Sequence, residues 1–459
     1  MNDYNDKKIL ITGLGISGVA AFDALIQIDV LPTVFDDRNI EINEPKLFEK
    51  LKAAHTDYYL NGENVPDEPW DFVVKSPGVP PWHPVIEMAR RRGAEIIGEL
   101  ELSLRLGRGL YAAITGTNGK TTTTTLAGEI FREAGIKSSV CGNIGRAVVT
   151  EAMEADDDTW LVTEVSSFQL DDTKLFNPKI AAFLNITPDH MDRHKTIENY
   201  AAAKAKIFAN QGPDDFLVYN ADDELVTALA KTASSKQFPF SRKQSLETGA
   251  YVKDGKLVFS GGAGAKPVAV IDAGELHIPG LHNLENALAA MAVAFAAGIS
   301  PVHIEKTLKS FRGVEHRLEF VTDIEGVRFV NDSKGTNPDA AVKAIEAVGN
   351  GILLIAGGYD KGADFSEYIR LSKCRVKKLL LFGATARKIR QCALEGGFSE
   401  DDALMVGGMD EAVTTGFRLA APGDTILLSP ACASWDMYEN YEQRGAHFKA
   451  AALGLRAGK

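Results

Sequence analysis

Cysteine is scarce in this chain, long apolar runs are missing and positive charge is not clustered, and each shortage argues against a class of protein. Four cysteines (Cys141, Cys374, Cys392, Cys432) are scattered over 459 residues with no CxxC pair. That argues against a zinc knuckle and a secreted disulfide framework, and predicts reduced thiols in a cytoplasmic protein. The longest strongly apolar stretch, 287–299, falls short of the ~20 residues that cross a bilayer. It reads as a buried helix, so no membrane insertion is expected. A formal net charge of −12 disfavours a general nucleic-acid binder, because phosphate backbones are held by clustered Lys and Arg. Small anionic ligands stay open to it where local lysines, amide groups and metals supply positive charge. The opening MNDYNDKKILITG leads from a short apolar run straight into glycines, as a first strand does and a secretion signal does not. There is no internal repeat, and no low-complexity tract beyond the threonine run at 121–125.

What is present is ordinary globular material, 45% hydrophobic and 24% charged, in a chain too long for one core, so about three domains are expected. Short apolar runs ending in glycine or polar loops alternate with helical patterns, which predicts an α/β fold with mostly parallel sheets. In the first block KILITG, TVFDD and DFVVKSPGV read as strands and 17–28 as a helix. The second block begins at YAAITGTNGKTTTTT and continues through WLVTEVSS and KIAAFLNIT to an apolar helix starting near Asn283. Within it, 240–275 carries a hairpin-like insertion, YVKDGKLVFS. The third block follows Gly313, with strands VRFVND, ILLIAGG, KKLLLFG, ALMVG and DTILLS and a helix over 384–394. The expected domains are a Rossmann-like one over 1–98, a central P-loop ATPase domain over 99–312 and a Rossmann-like one over 313–459.

The sharpest local signal is Gly116-Thr117-Asn118-Gly119-Lys120-Thr121-Thr122 between a strand and a helix. Small residues let backbone N–H groups curl round an anion, the helix N-terminus adds its positive end, and Lys120 supplies a point charge for phosphates. Thr121 is placed to meet Mg²⁺. The full Walker pattern wants a glycine where Ile114 stands, so an incidental strand-turn-helix is the plain alternative. Glu164 ends the strand WLVTE, about where a metal beside that loop needs an oxygen ligand; a strand-end acid facing water is the bland reading. The loop after KIAAFLNIT holds Asp189, His190, Asp192 and His194 within six residues, a density that favours a site over a plain connection. Next, Ile197, Tyr200, Lys204, Ile207 and Phe208 share one helical face. Lys204 therefore points inward, either snorkelling to water or held as a free amine that takes up CO₂ to become a carbamate and an oxygen ligand.

Near the N-terminus Gly13-Leu14-Gly15-Ile16-Ser17-Gly18 follows the first strand, and Asp36, Asp37 and Arg38 end the second. This dinucleotide-type fingerprint serves NAD or the diphosphate of a nucleotide-sugar equally. In the third block the loops at 331–338, 357–362 and 429–436 each follow a strand. Each alone is an ordinary turn, but together they offer one rim.

Taken in this order, GTNGKTT, GNIG at 142–145, EVSSFQL at 164–170, DHMDRH at 189–194, NDSKGTN at 331–337, GGYDKGADF at 357–365 and SPACASWDMYENYEQRG at 429–445 resemble the Mur ligase family. The likeness covers nearly the whole chain, and these markers are typical of the D-glutamate-adding branch. The DNPR sequence of the diaminopimelate- or lysine-adding members is absent, and the loop reads GTNGK where L-alanine-adding members have GTHGK.

The resemblance implies a cytoplasmic monomer that uses ATP and two Mg²⁺ ions to join D-glutamate to UDP-N-acetylmuramoyl-L-alanine through an acyl phosphate. It places Ser17, Asp36, Arg38, Ser76, Pro77 and Gly78 along the UDP end, with Asn143 and His190 nearer the substrate's middle. Gly116, Thr117, Asn118, Gly119, Lys120, Thr121 and Thr122 hold ATP with Asn283, Asn286, Arg317, Asp332 and Lys334. Thr121 and Glu164 take the first metal, and His190 and a carbamate on Lys204 the second. The catalytic set is then Lys120, Glu164, His190 and Lys204, and Thr336, Lys361, Ser434 and Tyr441 match the D-glutamate pocket. Tyr441 stands where the family also has phenylalanine. Three rivals share parts of this pattern. A folylpolyglutamate-type ligase shares GTNGK but gives no reason for GLGISG; a NAD-dependent dehydrogenase explains only GLGISG; a P-loop regulator would hydrolyse ATP and join nothing.

Overall fold

The computed structural model describes residue 4 and residues 6–262, 264–278, 280–360 and 362–457. Lys361, expected in the amino-acid pocket, lies outside the described residues. Three sheets follow one another along the chain. The first holds β1 (Ile9–Thr12), β2 (Thr33–Asp36), β3 (Tyr58–Leu60), β4 (Phe72–Lys75) and β5 (Glu95–Gly98), all parallel in the order β3-β2-β1-β4-β5. ILIT and FVVK are buried at every position, as strands covered by helices on both faces must be. The strand order reverses between β1 and β4, and the loops carrying Gly13 and Ser76 both leave the sheet there. That is the crevice where ligands enter such sheets. The helix expected over 17–28 runs Ile16–Gln27; it stops because Asp29 turns left-handed, φ 60°.

The second sheet holds β6 (Leu110–Thr115), β7 (Ser138–Gly142), β8 (Trp160–Glu164), β9 (Ile180–Phe183), β10 (Phe216–Asn220), β11 (Lys236–Ser241), β12 (Thr248–Lys253), β13 (Lys256–Gly261) and β14 (Val268–Asp272). Their order is β14-β13-β12-β11-β10-β9-β6-β8-β7, parallel from β7 to β12 and antiparallel beyond. The expected hairpin closes at Asp254 and Gly255, with φ 50° and 74°, the paired left-handed conformations of a tight hairpin turn. It extends the sheet's edge instead of standing apart from it. The apolar helix Leu281–Ala296 packs on this sheet beside the helix Lys120–Glu133. β6 lies between β8 and β9, so the phosphate loop, Glu164 and the loop of Asp189 leave neighbouring strand ends.

The third sheet holds β15 (Glu319–Ile324), β16 (Val327–Asn331), β17 (Ile352–Ala356), β18 (Val376–Leu381), β19 (Ala403–Met405) and β20 (Thr425–Leu428). Its order is β15-β16-β20-β17-β18-β19, parallel except for β15. β16, β20 and β17 are adjacent, so the three loops singled out in the sequence do share a rim. Among the described residues no helix is long and apolar enough to cross a membrane.

Candidate active site

The phosphate loop is shaped by two glycines. Gly119 is left-handed, φ 84°, and a Cβ there would meet Asn286 Oδ1 at 2.2 Å, so the helix Leu281–Ala296 lies hard against the loop and only glycine fits. Lys120 opens the following helix and its Nζ donates back to the carbonyls of Gly116 and Thr117, each at 2.9 Å. Thr121 Oγ1 donates to Glu164 Oε2 at 2.7 Å and Asn143 Nδ2 to Oε1 at 2.9 Å. Both oxygens of a carboxylate that is 1% exposed are thereby oriented into the loop's mouth. A hydroxyl and a carboxylate are the oxygen donors Mg²⁺ accepts. Asn286 Nδ2 donates to Asn283 Oδ1 at 3.0 Å, and Thr123 Oγ1 to Asn286 Oδ1 at 3.4 Å. The expected adenine-side pair is thus fixed to the phosphate helix.

His190 follows β9 in a left-handed turn, φ 55°, with its N–H on Asp189 Oδ1 at 2.9 Å and its ring edge-on to Phe168 at 4.7 Å. Lys204 does not snorkel. It is 1% exposed, and its Nζ donates to the Gly116 carbonyl at 2.8 Å and lies 4.7 Å over the Tyr200 ring. Burial, with the positive charge of Lys120 beside it, holds its amine well below the ordinary lysine range, outweighing Asp189 and Glu164. Burial thus disfavours the charged ammonium behind the phosphate loop.

A cavity of about 210 Å³ brings residues 117–122, Asn143, Glu164 and His190 together with Arg317, Lys334, Thr336 and Tyr441. Lys334 Nζ donates to the Tyr441 hydroxyl at 2.8 Å and sits 4.6 Å over its ring; burial lowers the Lys334 pKa. Asp332, fully buried, accepts from Ser429 Oγ at 2.8 Å and Leu318 N at 3.3 Å, with Arg317 at 3.7 Å. Burial raises its pKa against those contacts. A second cavity of about 490 Å³ shares Asp189, His190 and Thr336 with the first and runs on to Tyr359, Phe365 and Tyr368. Ser434, 2% exposed, lines neither cavity; its carbonyl accepts from Met437 and Tyr438 at 3.1 and 2.9 Å.

In the first unit Asp36 Oδ2 accepts from Leu14 N at 2.6 Å, and Arg38 grips the same carboxylate through Nε and Nη2, each at 3.0 Å. Burial works to raise the Asp36 pKa, but these hydrogen bonds win and leave it lowered. Ser76 Oγ donates to the Gly13 carbonyl at 2.6 Å, and a Cβ on Gly18 would fall 1.8 Å from that oxygen. A cavity of about 650 Å³ opens here between Leu14, Ile16 and Arg38 on one side and Gly145, Arg146 and Ala147 of the central unit on the other. Ser17, Asp36 and Ser76-Pro77-Gly78 are not among its lining residues. Pro77 instead accepts from Arg193 Nη1 at 2.7 Å, and that guanidinium stacks 3.9 Å over Phe168.

Sequence reasoning missed Arg444. It is 1% exposed and bonds Ser333 Oγ (3.0 Å), Ser333 O (2.8 Å), Cys432 O (3.1 Å) and Ala433 O (3.2 Å). It ties together the loops that carry Lys334 and Ser434, and burial pulls its pKa down to about 10. Its signal was a lone cation inside the motif ending QRG, easily taken for a surface arginine.

Three successive α/β units, the second and third meeting at a phosphate loop with an acid, a buried lysine and a cationic rim, define a nucleotide-dependent ligase architecture. Family profiles bear this out along the chain: Mur ligase MurD-like N-terminal domain at 7–98, Mur ligase middle domain at 114–294, and Mur ligase glutamate ligase domain at 316–432. The chain is 48% identical over 462 residues to the UDP-N-acetylmuramoylalanine--D-glutamate ligase of Thermoanaerobacter sp. (strain X514), covering 99% of this chain and 100% of that one. It is 43% identical over 449 residues to the protein of that name from Clostridioides difficile (strain 630), covering 97% and 98%. Among solved structures, the UDP-N-acetylmuramate-alanine ligase of Thermotoga maritima shares the fold with a TM-score of 0.60 at 18% identity, covering 99% and 100%. The chain belongs to the Mur ligase family.

Proposed function

We infer that this chain is the family's D-glutamate ligase: it joins D-glutamate to the L-alanyl carboxylate of UDP-N-acetylmuramoyl-L-alanine at the expense of ATP, in the assembly of peptidoglycan precursor. The observation that carries this is the 48% identity to D-glutamate ligases over the full length of both chains, which the regulator, dehydrogenase and folate readings do not accommodate. The cavity in which the phosphate loop and the third unit's rim meet around His190 and Thr336 supports it.

A carboxylate is too poor an electrophile for an amine, so it must first be given a leaving group. A carboxylate oxygen attacks the γ-phosphorus of ATP and ADP departs; the amine of D-glutamate then attacks the acyl carbon, loses a proton, and phosphate leaves with that oxygen. The chain's share is placement and charge. Lys120 and Lys334, from opposite sides of the cavity, face phosphates and carboxylates that otherwise repel one another. Thr121 and Glu164 would hold one Mg²⁺, and His190 with a carbamate on Lys204 a second, and these ions would supply further charge neutralisation. Burial disfavours the charged form of Lys204, which suits addition to CO₂: the nitrogen bonds the carbon, a proton leaves, and an anionic oxygen ligand results.

Phosphate release from ATP tests the reading, with UDP-N-acetylmuramoyl-L-alanine present and D-glutamate compared with L-glutamate, D-alanine, meso-diaminopimelate and no amino acid. Release with D-glutamate alone is expected; release with another amino acid keeps the family and overturns this assignment. Lys204→Ala is expected to lose most activity and to regain part of it with short-chain carboxylic acids. Full activity in that variant would remove the carbamate from the account.

A further inference from the structure

Asp339 stands in the first turn of the helix Pro338–Val348 in the third unit, and its carboxylate crosses to the central one. Its Oδ2 accepts from Asn118 Nδ2 of the phosphate loop, from Thr187 Oγ1 at 3.1 Å, and from Lys343 Nζ one turn along its own helix at 3.0 Å. Asn337 runs beside it: Oδ1 caps its own helix at Ala340 N, 2.8 Å, while Nδ2 donates to Asp189 Oδ2 at 3.2 Å. The groups they reach are themselves pinned. The Asn118 N–H and carbonyl are both held by the Asn185 amide, at 2.9 and 3.0 Å, and Thr187 N donates to Thr117 Oγ1 at 3.0 Å. Asp189 Oδ1 accepts the His190 N–H. A shift of this helix start is therefore felt at the phosphate loop and at His190.

Placement matters as much as contact. Asp339 borders the second cavity and not the first, so its charge is set outside the phosphate cavity. The same stretch of chain carries Lys334 and Thr336 a few residues upstream, and both line the first cavity. With its side chain one-third exposed (33%), Asp339 adds little to folding. A charge-assisted acceptor with two donors from another unit does, however, have a defined direction.

We propose that Asp339 is a positioning residue that registers the third unit on the phosphate loop, holding Asn118 and Thr187 so that Lys334 and Thr336 stand correctly against Lys120 and His190. The proposal rests on the ligase reading above: the first cavity takes ATP and the third unit delivers the amino acid. Asp339 then governs how efficiently the incoming amine meets the activated carboxylate, and not whether nucleotide binds.

The test uses the full chain with Asp339→Ala, Asp339→Asn, Thr187→Val and the Asp339→Ala/Thr187→Val pair. Steady-state kcat and KM for each substrate are measured, together with affinity for a fluorescent ATP analogue and the thermal midpoint. For Asp339→Ala, kcat/KM for D-glutamate is expected to fall about tenfold, with analogue affinity within about twofold and the midpoint within ~2 °C of the parent. Asp339→Asn, which still offers one acceptor, loses less, and Thr187→Val adds nothing once Asp339 is gone. Losses that multiply in the pair, or an Asp339→Ala effect confined to ATP affinity, would overturn the proposal. Failure of the analogue to bind the parent protein would strike the nucleotide reading itself, a result distinct from a failure of the seam.

Discussion

Where the first unit meets the central one, and along the helix Glu99–Leu106 that leads from the one to the other, charged groups are buried. Lys75 pairs with Asp172 at 2.7 Å with its side chain fully covered, and Glu101, also fully buried, accepts from the N–H groups of Lys174, Leu175 and Phe176 at 2.9–3.1 Å. Glu99 accepts from Val149 N at 2.6 Å, and Ala147 and Val149 of the central unit belong to the first unit's apolar core. Between the central and third units Asn337 is buried but Asp339 keeps a side chain one-third exposed, and among the described residues the third unit's two apolar cores include no central residue. One seam is built like a domain interior and the other like a transient interface. On the proposed ligase reading the difference suits the chemistry: the nucleotide-sugar carboxylate is to stay in register with His190, whereas the unit proposed to bring the amino acid is to dock and leave.

If that contrast is right, changes at the first seam act on stability and changes at the second act on turnover. The largest effect is expected from Lys75→Ala, which strands the Asp172 carboxylate and costs about 3–5 kcal/mol in denaturant unfolding. Lys75→Met with Asp172→Leu removes both charges together and is expected to recover most of it. A Lys75→Ala protein as stable as the parent, but slower, would erase the distinction between the seams.

Next comes Glu99, whose pKa burial raises to about 7 from its ordinary 4.5, against the N–H groups of Val149 and Val148. Because the folded state prefers the protonated form, its contribution is fully present below pH 4.5 and is lost as pH rises through about 7. Relative to Glu99→Gln, the parent is therefore expected to lose about 3 kcal/mol over that window. A stability difference that does not change with pH would contradict the burial argument. The smallest effect is expected at the second seam's rim. Tyr441→Phe removes the hydroxyl that Lys334 donates to but keeps the ring beneath its charge, and kcat/KM for D-glutamate is expected to change by less than about threefold. A loss of a hundredfold would make the hydroxyl itself part of the chemistry.

The α/β architecture was legible because parallel strands buried on both faces read as continuous apolar runs, and because glycines mark the strand ends where loops must curl. The phosphate loop, Glu164 and the inward-facing Lys204 were legible for the same local reasons: each sits at a strand end or on a helical stripe whose period can be counted. What was not legible is pairing over distance. Asn118 and Asp339 are 221 residues apart, and no spacing rule links them. Arg444 hides because its four acceptors are mostly backbone carbonyls, which leave no mark in composition. The cavity beside Arg38 takes part of its wall from Gly145, Arg146 and Ala147 of the central unit, and Pro77 is held by Arg193 from 116 residues away; neither pairing leaves a spacing to read.

The central claim is that the carboxylate is activated by phosphorylation before the amine attacks. It is tested most directly with UDP-N-acetylmuramoyl-L-alanine carrying ¹⁸O in both oxygens of its free carboxylate. One ¹⁸O is expected in each phosphate released and one retained in the new amide. Phosphate free of ¹⁸O, with the amide formed, would contradict the account.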